Sequence, residues 1–365
     1  MVHERLTWRS MKRVVQRALH EDGPGFELLV EPDWEMAVFD LHSQLKCVLD
    51  VHFDSLLTYR EILKLENGDV LCSSDDLDLR DPIVLHLHLS TDGGQPFRFK
   101  KMSLWPLHAT ILDLPLYIRS KKENILLFGL WLSSTKPDWN RFVTENLKHS
   151  LLSQVTTFNV QNSMVDFKVI IHTAVFDLPA LASVLSHHQY NGRFGCIFCC
   201  APGTVTKIGR GYSRKYGGVI DLRSDSSYSE CSQIAQLTGE PVFGVKGLSC
   251  LQPFLKIPSH ILLDPLHLLF ENCSKLLFAK LVDSPSFRCA FFLGRHVSYY
   301  DQLADRILIP QFLQRPRSLN ELSFWKARDF LCYLFYYSIP TIYVSLFHKS
   351  CKEYAFHFSS FCDSF

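Results

Sequence analysis

The sequence predicts an α/β protein built on a mixed β-sheet. Residues 83–90 form a buried-strand run that stops at Asp92-Gly93-Gly94, and 167–176 is the strongest strand in the chain. Between 83 and 190 the segments read strand, strand, strand, helix, strand, helix, an order that gives a mixed sheet with helices. The composition allows a large core: 47% of the 365 residues are hydrophobic. Lys and Arg total 38 against 37 Asp and Glu, for a net charge of +1. That balance excludes global disorder and a uniformly basic nucleic-acid glove, although local patches survive it.

Taken in order, residues 1–22 read as a short basic amphipathic helix. Leu6, Met11, Val14, Val15 and Ala18 recur at helical spacing among Arg9, Lys12, Arg13 and Arg17. Gly23-Pro24-Gly25 ends it, 33–66 reads as helical with breaks, and 73–81 is an acidic loop, so 1–82 is an N-terminal helical region. The core at 83–190 opens with the strand at 83–90. Strands at 103–112 and 124–132 follow, then a helix at 139–154 with Phe142, Leu147, Leu151 and Leu152 on one face. After 167–176, Asp177-Leu178-Pro179 starts the next helix with proline in its first turn. This order matches the opening of a ribonuclease-H-like (RNase-H-like) fold. Residues 191–259 lose periodicity, are rich in Gly and Ser, and carry Lys207, Arg210, Arg214 and Lys215 without an acid between Cys200 and Asp221. They form a Cys-containing basic insertion. From 260 to 365 the pattern is helical again. The apolar stretch at 330–347 contains Ser338 and Pro340 and reads as buried core helices rather than a membrane span. The charged N-terminus has no signal-peptide core, and the 12 cysteines lack the density of a secreted disulfide scaffold, so the expectation is a reduced intracellular protein.

Three constellations carry chemistry. Asp92 and Asp177 each follow a long apolar strand, where clustered carboxylates on rigid strands hold hard cations for phosphodiester chemistry. The plain alternative is a turn Asp-Gly and a helix N-cap. Cys196 and Cys199 have the spacing for adjacent corners of a zinc tetrahedron, with His260 and His267, or Cys231 and Cys250, as completing ligands. Buried free thiols or a redox pair are the alternatives. Asp264 and His267, three apart, suit metal ligation or mutual orientation, against an Asp cap followed by Pro265 and a partly buried histidine. Trp105, Trp131 and Trp139 read as core, and His86 and His88 as satisfied strand histidines.

Together these segments resemble the transposase of CACTA (En/Spm-type) DNA transposons and its animal relatives, the transposase domain-containing proteins. The carrying motifs are LSTDGGQPF at 89–97, SLWP at 103–106, ILDLP at 111–115 and FDLPA at 176–180. YNGRFGCIFC at 190–199, GVKG at 244–247, DPLH at 264–267, WKAR at 325–328 and YYSIP at 336–340 complete the series. The resemblance implies a DDE transposase core, in which two aspartates and a glutamate hold two Mg²⁺ ions for DNA strand cleavage and transfer. Asp92 matches the first aspartate and Asp177 the second. Cys196 and Cys199 match the Cys pair of the insertion, where the resemblance implies Zn²⁺ or a structural polar cluster, and Asp264 with His267 match the Asp-x-x-His signature. The implied partner is DNA at transposon ends, with room for a homo-oligomer, no membrane, and a nuclear or cytoplasmic location.

In that family the third carboxylate lies beyond the segment resembling 325–340, and neither Glu271 nor Glu321 is at a matching position. The N-terminal zinc-binding segment of many relatives has no counterpart in 1–50. The expectation is therefore a transposase-derived fragment with an impaired site. The other class is a non-catalytic DNA- or protein-binding module that keeps the fold, and a lesser one is a metal-dependent nuclease or phosphatase using another acid.

Overall fold

The computed structural model describes residues 26–31, 34–67, 81–94, 102–148, 152, 154–208, 211–217, 220–282, 292–308 and 314–343. The chain divides into two compact units, Met1–Leu263 and Asp264–Phe365.

In the first unit, β1 (Phe26–Glu31) and β2 (Trp34–Phe39) form an antiparallel pair ahead of the long helix α1 (Leu41–Asn67). Leu41, Leu45, Val48, Leu49 and Leu56 are buried at helical spacing, and Asp40 accepts the backbone N–H groups of His42 and Ser43 at the start of the helix. The core follows: β3 (Ile83–Thr91), β4 (Ser103–Ile111), the one-turn helix α2 (Leu116–Arg119), β5 (Leu126–Ser133) and α3 (Trp139–Lys148). Next come β6 (Val155–Val160), β7 (Ser163–Phe176) and α4 (Leu178–Val184). The hairpin β8 (Thr204–Ile208) and β9 (Gly211–Lys215), then α5 (Asp225–Thr238), precede β10 (Ile261–Leu263).

The main sheet runs β1-β2-β5-β4-β3-β7-β10, with β6 also paired to β7. Strand β4 is antiparallel to both β5 and β3, whereas β3 is parallel to β7 and β7 to β10. The mixed sheet follows from the connections. Short links make hairpins, and a crossover carrying a helix returns the chain parallel to its starting strand. Leu85, Leu87 and Leu89 are fully buried on one face of β3, in a core shared with Phe167, Val169, Phe142 and Leu45.

Several expectations need correction. The helix read from 33 begins at Leu41, because 34–39 alternates Met36 and Val38 inward with Glu35 outward and joins the sheet through β5. The N-terminal region is thus not wholly helical. The basic helix at 1–22, the acidic loop at 73–80 and Leu151 lie outside the described residues. The helix expected over 139–154 ends at Lys148 among the described residues, and Leu152 instead bridges to Val169. The insertion is not aperiodic throughout: α5 is capped by Ser224 at one end and by left-handed Gly239 at the other, and buries Tyr228, Ser232 and Ala235. The helical reading from 260 missed β10.

In the second unit, a π-helical segment (Leu266–Ser274) runs into α6 (Lys275–Val282), followed by α7 (Val297–Asp305) and α8 (Ala327–Cys332). Its core is aromatic. Phe278 stacks on Phe330 with ring centroids 6.2 Å apart, Trp325 lies 5.2 Å from Tyr333, and the Trp325 indole donates to the Ser318 carbonyl at 3.0 Å. Among the described residues no helix is long and apolar enough to cross a membrane.

Candidate functional site: strand-end carboxylates and a histidine-lined sheet face

Strands β3 and β7 run parallel, and their pairing register ends with Ser90 opposite Val175. Two residues further on each strand stand Asp92 and Asp177. The two aspartates therefore emerge at the same end of neighbouring parallel strands. Asp92 is exposed and Asp177 half-buried. Asp177 also caps α4: its Oδ1 accepts the Ala180 N–H at 2.7 Å, with Pro179 in the first turn. The helix-cap reading of Asp177 holds, and the cap engages one of its two carboxylate oxygens.

The strand leading to Asp92 presents a row of even-numbered polar side chains, opposite the buried leucines. His86 and His88 are buried, and Ser90 Oγ meets His108 Nε2 at 2.8 Å across the β3–β4 pair. The β3–β7 register pairs Leu87 with Ile171 and His88 with Thr173, so His172 is an extra residue on β7. This bulge sets His172 beside His86, with ring centroids 5.2 Å apart, and Thr173 Oγ1 beside His88 Nδ1 at 2.7 Å. His260 follows at 5.7 Å from His172. Burial, reinforced by His86 and His260, lowers the His172 pKa.

The anchor of this row is Asp113. Its Oδ2 accepts the His86 backbone N–H at 2.6 Å, and its Oδ1 lies 3.1 Å from His86 Nδ1 and 3.2 Å from Arg60 Nη1. His86 and His88 are thus satisfied strand histidines, as their sequence pattern indicated. Asp113, His172 and His260 form part of the same polar face. Asp113 sits in ILDLP after β4, and its buried acid between two leucines was the available signal.

The structure brings Cys196 and Cys199 into a mutual hydrogen bond, and burial pushes the Cys196 thiol up. Burial also raises Cys200, whose neighbours include Cys231 and Cys199, and pushes Cys250 up to about 12. Cys250 Sγ contacts the Val184 carbonyl at 3.6 Å instead. Raised in this way, the Cys196 thiol holds its proton more tightly than a free cysteine does. Among the described residues no group of three or more His, Cys, Asp or Glu side chains is gathered closely enough to hold a metal.

In the second unit, Asp264 and His267 do meet. His267 Nδ1 hydrogen-bonds Asp264 Oδ2, and Asp264 Oδ1 accepts the Leu266 N–H at 2.8 Å. Burial opposes ionisation of Asp264, but the His267 hydrogen bond and charge together with the backbone N–H groups outweigh it and hold its carboxyl below the usual range. The pair thus combines mutual orientation with capping of the π-helical turn. Glu271 accepts the Ala327 N–H at 3.3 Å, a structural role. Of the tryptophans, Trp131 and Trp139 are buried and Trp105 packs against them as core.

No curated protein matches the sequence. The family model described as protein of unknown function (DUF1258) matches residues 35–231, more than half of the chain, and the chain therefore belongs to the DUF1258 family.

Proposed function

We propose that this chain is a DDE transposase-derived protein with an RNase-H-like core, whose chemistry is Mg²⁺-dependent cleavage and transfer of DNA strands, and that the chain alone performs it weakly. The observation that carries the reading is the pair Asp92 and Asp177 at the same end of adjacent parallel strands. The order β5-β4-β3-β7-β10, with three antiparallel strands followed by two parallel additions, supports it. So does the helix between β5 and β7, the position the RNase-H-like reading requires.

The donor set fits Mg²⁺, a hard cation that takes one or two carboxylates and keeps several waters. Asp92 and the Asp177 oxygen that does not cap α4 would hold it. When bound, such an ion polarises a phosphoryl oxygen and lowers the pKa of water. The residues of the chain do the positioning: β3 and β7 fix the two carboxylates, and the α4 cap fixes the Asp177 rotamer. A two-metal site needs a further acid, and the described residues gather none beside these two. Cys196 and Cys199 would supply two of the four ligands of a structural Zn²⁺ in the insertion. A DNA substrate fits a nuclear or cytoplasmic protein and a homo-oligomer acting on paired ends.

A second reading, a DNA- or protein-binding module without chemistry, is favoured by the Asp177 cap, which gives that carboxylate a structural use. Calorimetric titration with Mn²⁺ separates the two. Binding that Asp92→Asn and Asp177→Asn each abolish supports the metal-bearing core, and absence of binding by the wild-type chain supports the module. Mg²⁺-dependent nicking of supercoiled DNA at rates typical of a complete nuclease would overturn the claim of weak activity.

A further inference from the structure

The β8–β9 hairpin is a ribbon with no core side. Register pairs Val205 with Arg214 and Lys207 with Tyr212, so these four share one face, while Thr204, Thr206, Ser213 and Lys215 share the other. Tyr212 is 75% exposed and Val205 59%, and Lys207 and Lys215 are exposed as well. A strand pair that buries neither face gains little from its own packing, so its shape must come from elsewhere.

That support is visible at the ribbon's foot. Arg214 donates through Nε to the Asn191 carbonyl at 2.9 Å and through Nη1 to the Gly203 carbonyl at 2.8 Å. The Tyr216 hydroxyl donates to the Tyr190 carbonyl at 2.7 Å and contacts the Gly192 carbonyl. Cys199 bridges to Leu222, and Arg223 donates to the Cys199 carbonyl at 3.1 Å. The base is thus clamped to the loop that holds the Cys pair, and the exposed part projects from a fixed mount.

The charge on this projection is of one sign. No Asp or Glu occurs from 201 to 220, a stretch containing Lys207, Arg214 and Lys215, and exposed Arg193 stands beside the foot with its guanidinium 5.3 Å from the Phe194 ring. The partner complementary to such a surface is anionic. A membrane surface is a poor match, since the face with Val205 and Tyr212 also carries Lys207 and Arg214, which leaves no apolar face to insert. A two-stranded ribbon has the width to enter a duplex major groove, and Lys, Ser, Thr and Tyr are phosphate-contacting side chains.

We propose that the β8–β9 ribbon is a docking element for duplex DNA, with Tyr212 and Lys207 on the face turned to the groove and Lys215, on the opposite face near the foot, reaching a phosphate of a flanking strand. This deepens, and rests on, the reading of the chain as a protein that acts on DNA. The experiment is fluorescence anisotropy of the full chain with a labelled 30-bp duplex, in EDTA and over a range of salt concentrations. EDTA keeps the result independent of the carboxylate pair.

The double variant Lys207→Glu/Lys215→Glu is expected to bind at least about tenfold more weakly, and its log–log salt slope to fall by about 0.9 for each phosphate that the lysines no longer neutralise. Tyr212→Ala should weaken binding with the slope unchanged. Lys121→Glu/Lys122→Glu, an equal charge change at two exposed positions elsewhere in the same unit, is the control and should bind like wild type. Equal weakening by both double variants, or tighter binding of single-stranded DNA than of duplex, overturns the ribbon as a duplex-docking element. Wild-type binding with unaffected ribbon variants does the same but leaves the DNA reading standing. A wild-type chain that binds no DNA overturns both, while the Mn²⁺ titration reports separately on the carboxylates.

Discussion

Asp177 Oδ1 accepts the backbone N–H of Ala180 at 2.7 Å, so the carboxylate that follows β7, at the same end as Asp92 after the neighbouring parallel β3, also starts α4. Charge and cap can therefore be separated by substitution. Asparagine caps helices about as well as aspartate, whereas alanine does not. Asp177→Asn is expected to unfold in urea within about 0.5 kcal/mol of wild type, and Asp177→Ala about 1 kcal/mol lower. Mn²⁺ binding should be lost in both.

Asp113 is the buried hub beneath the histidine row, in contact with the His86 backbone and ring and with Arg60. Removing one partner of a buried pair leaves the other uncompensated. Asp113→Ala should cost about 3 kcal/mol in chemical denaturation. Asp113→Asn, which retains an acceptor for the His86 N–H, should cost less. Equal losses in the two would show that the charge, rather than the hydrogen bond, is the main contribution.

Acid should destabilise the fold through His187. Burial pushes its pKa down to about 4, against the upward pull of its hydrogen bond to the His188 carbonyl. The neutral ring stacks near Tyr228, and among the described residues its Nε2 has no partner. Because the folded-state pKa lies below the ordinary histidine value of 6.5, the unfolded chain binds the proton more readily. The stabilisation from the neutral ring is complete above pH 6.5 and lost as pH falls towards 4, by about 3 kcal/mol at about 1.4 kcal/mol per pKa step. Urea midpoints measured from pH 7 to 4 should fall, and His187→Gln should flatten that part of the profile.

Gly244 has φ +88, and a Cβ there would lie 2.1 Å from the Phe194 carbonyl oxygen. Both the backbone conformation and the space exclude a side chain. Gly244→Ala should destabilise the first unit by at least about 2 kcal/mol, read as a lower thermal midpoint. Gly94→Ala, where a Cβ meets nothing within 4 Å, serves as the mild comparison.

Much of the core was legible because its signals are local. The apolar runs of β3 and β7, the Asp-Gly stop and the Asp-Leu-Pro helix start lie close to where the structure puts them. Strands β1 and β2 have no such independence. Phe26–Phe39 becomes sheet by pairing β2 with β5, a segment about ninety residues away. α5 was missed because its buried stripe is only Tyr228, Ser232 and Ala235 in an otherwise polar helix, although Ser224 and Gly239 mark its ends.

The sequence by itself determined the order of core elements, the caps and the two strand-end aspartates, since periodicity, proline and capping chemistry act within a few residues. Only tertiary structure decided that Asp92 and Asp177 belong to neighbouring parallel strands, that a bulge turns His172 toward His86, and that Asp113 ties that row to Arg60. Those relationships depend on strand register and burial, which are fixed by pairing and packing between segments far apart in the chain. The basic insertion shows the same division: its charge was plain in the sequence, but the clamp from Arg214 and Tyr216 that makes a projecting ribbon exists only in the fold.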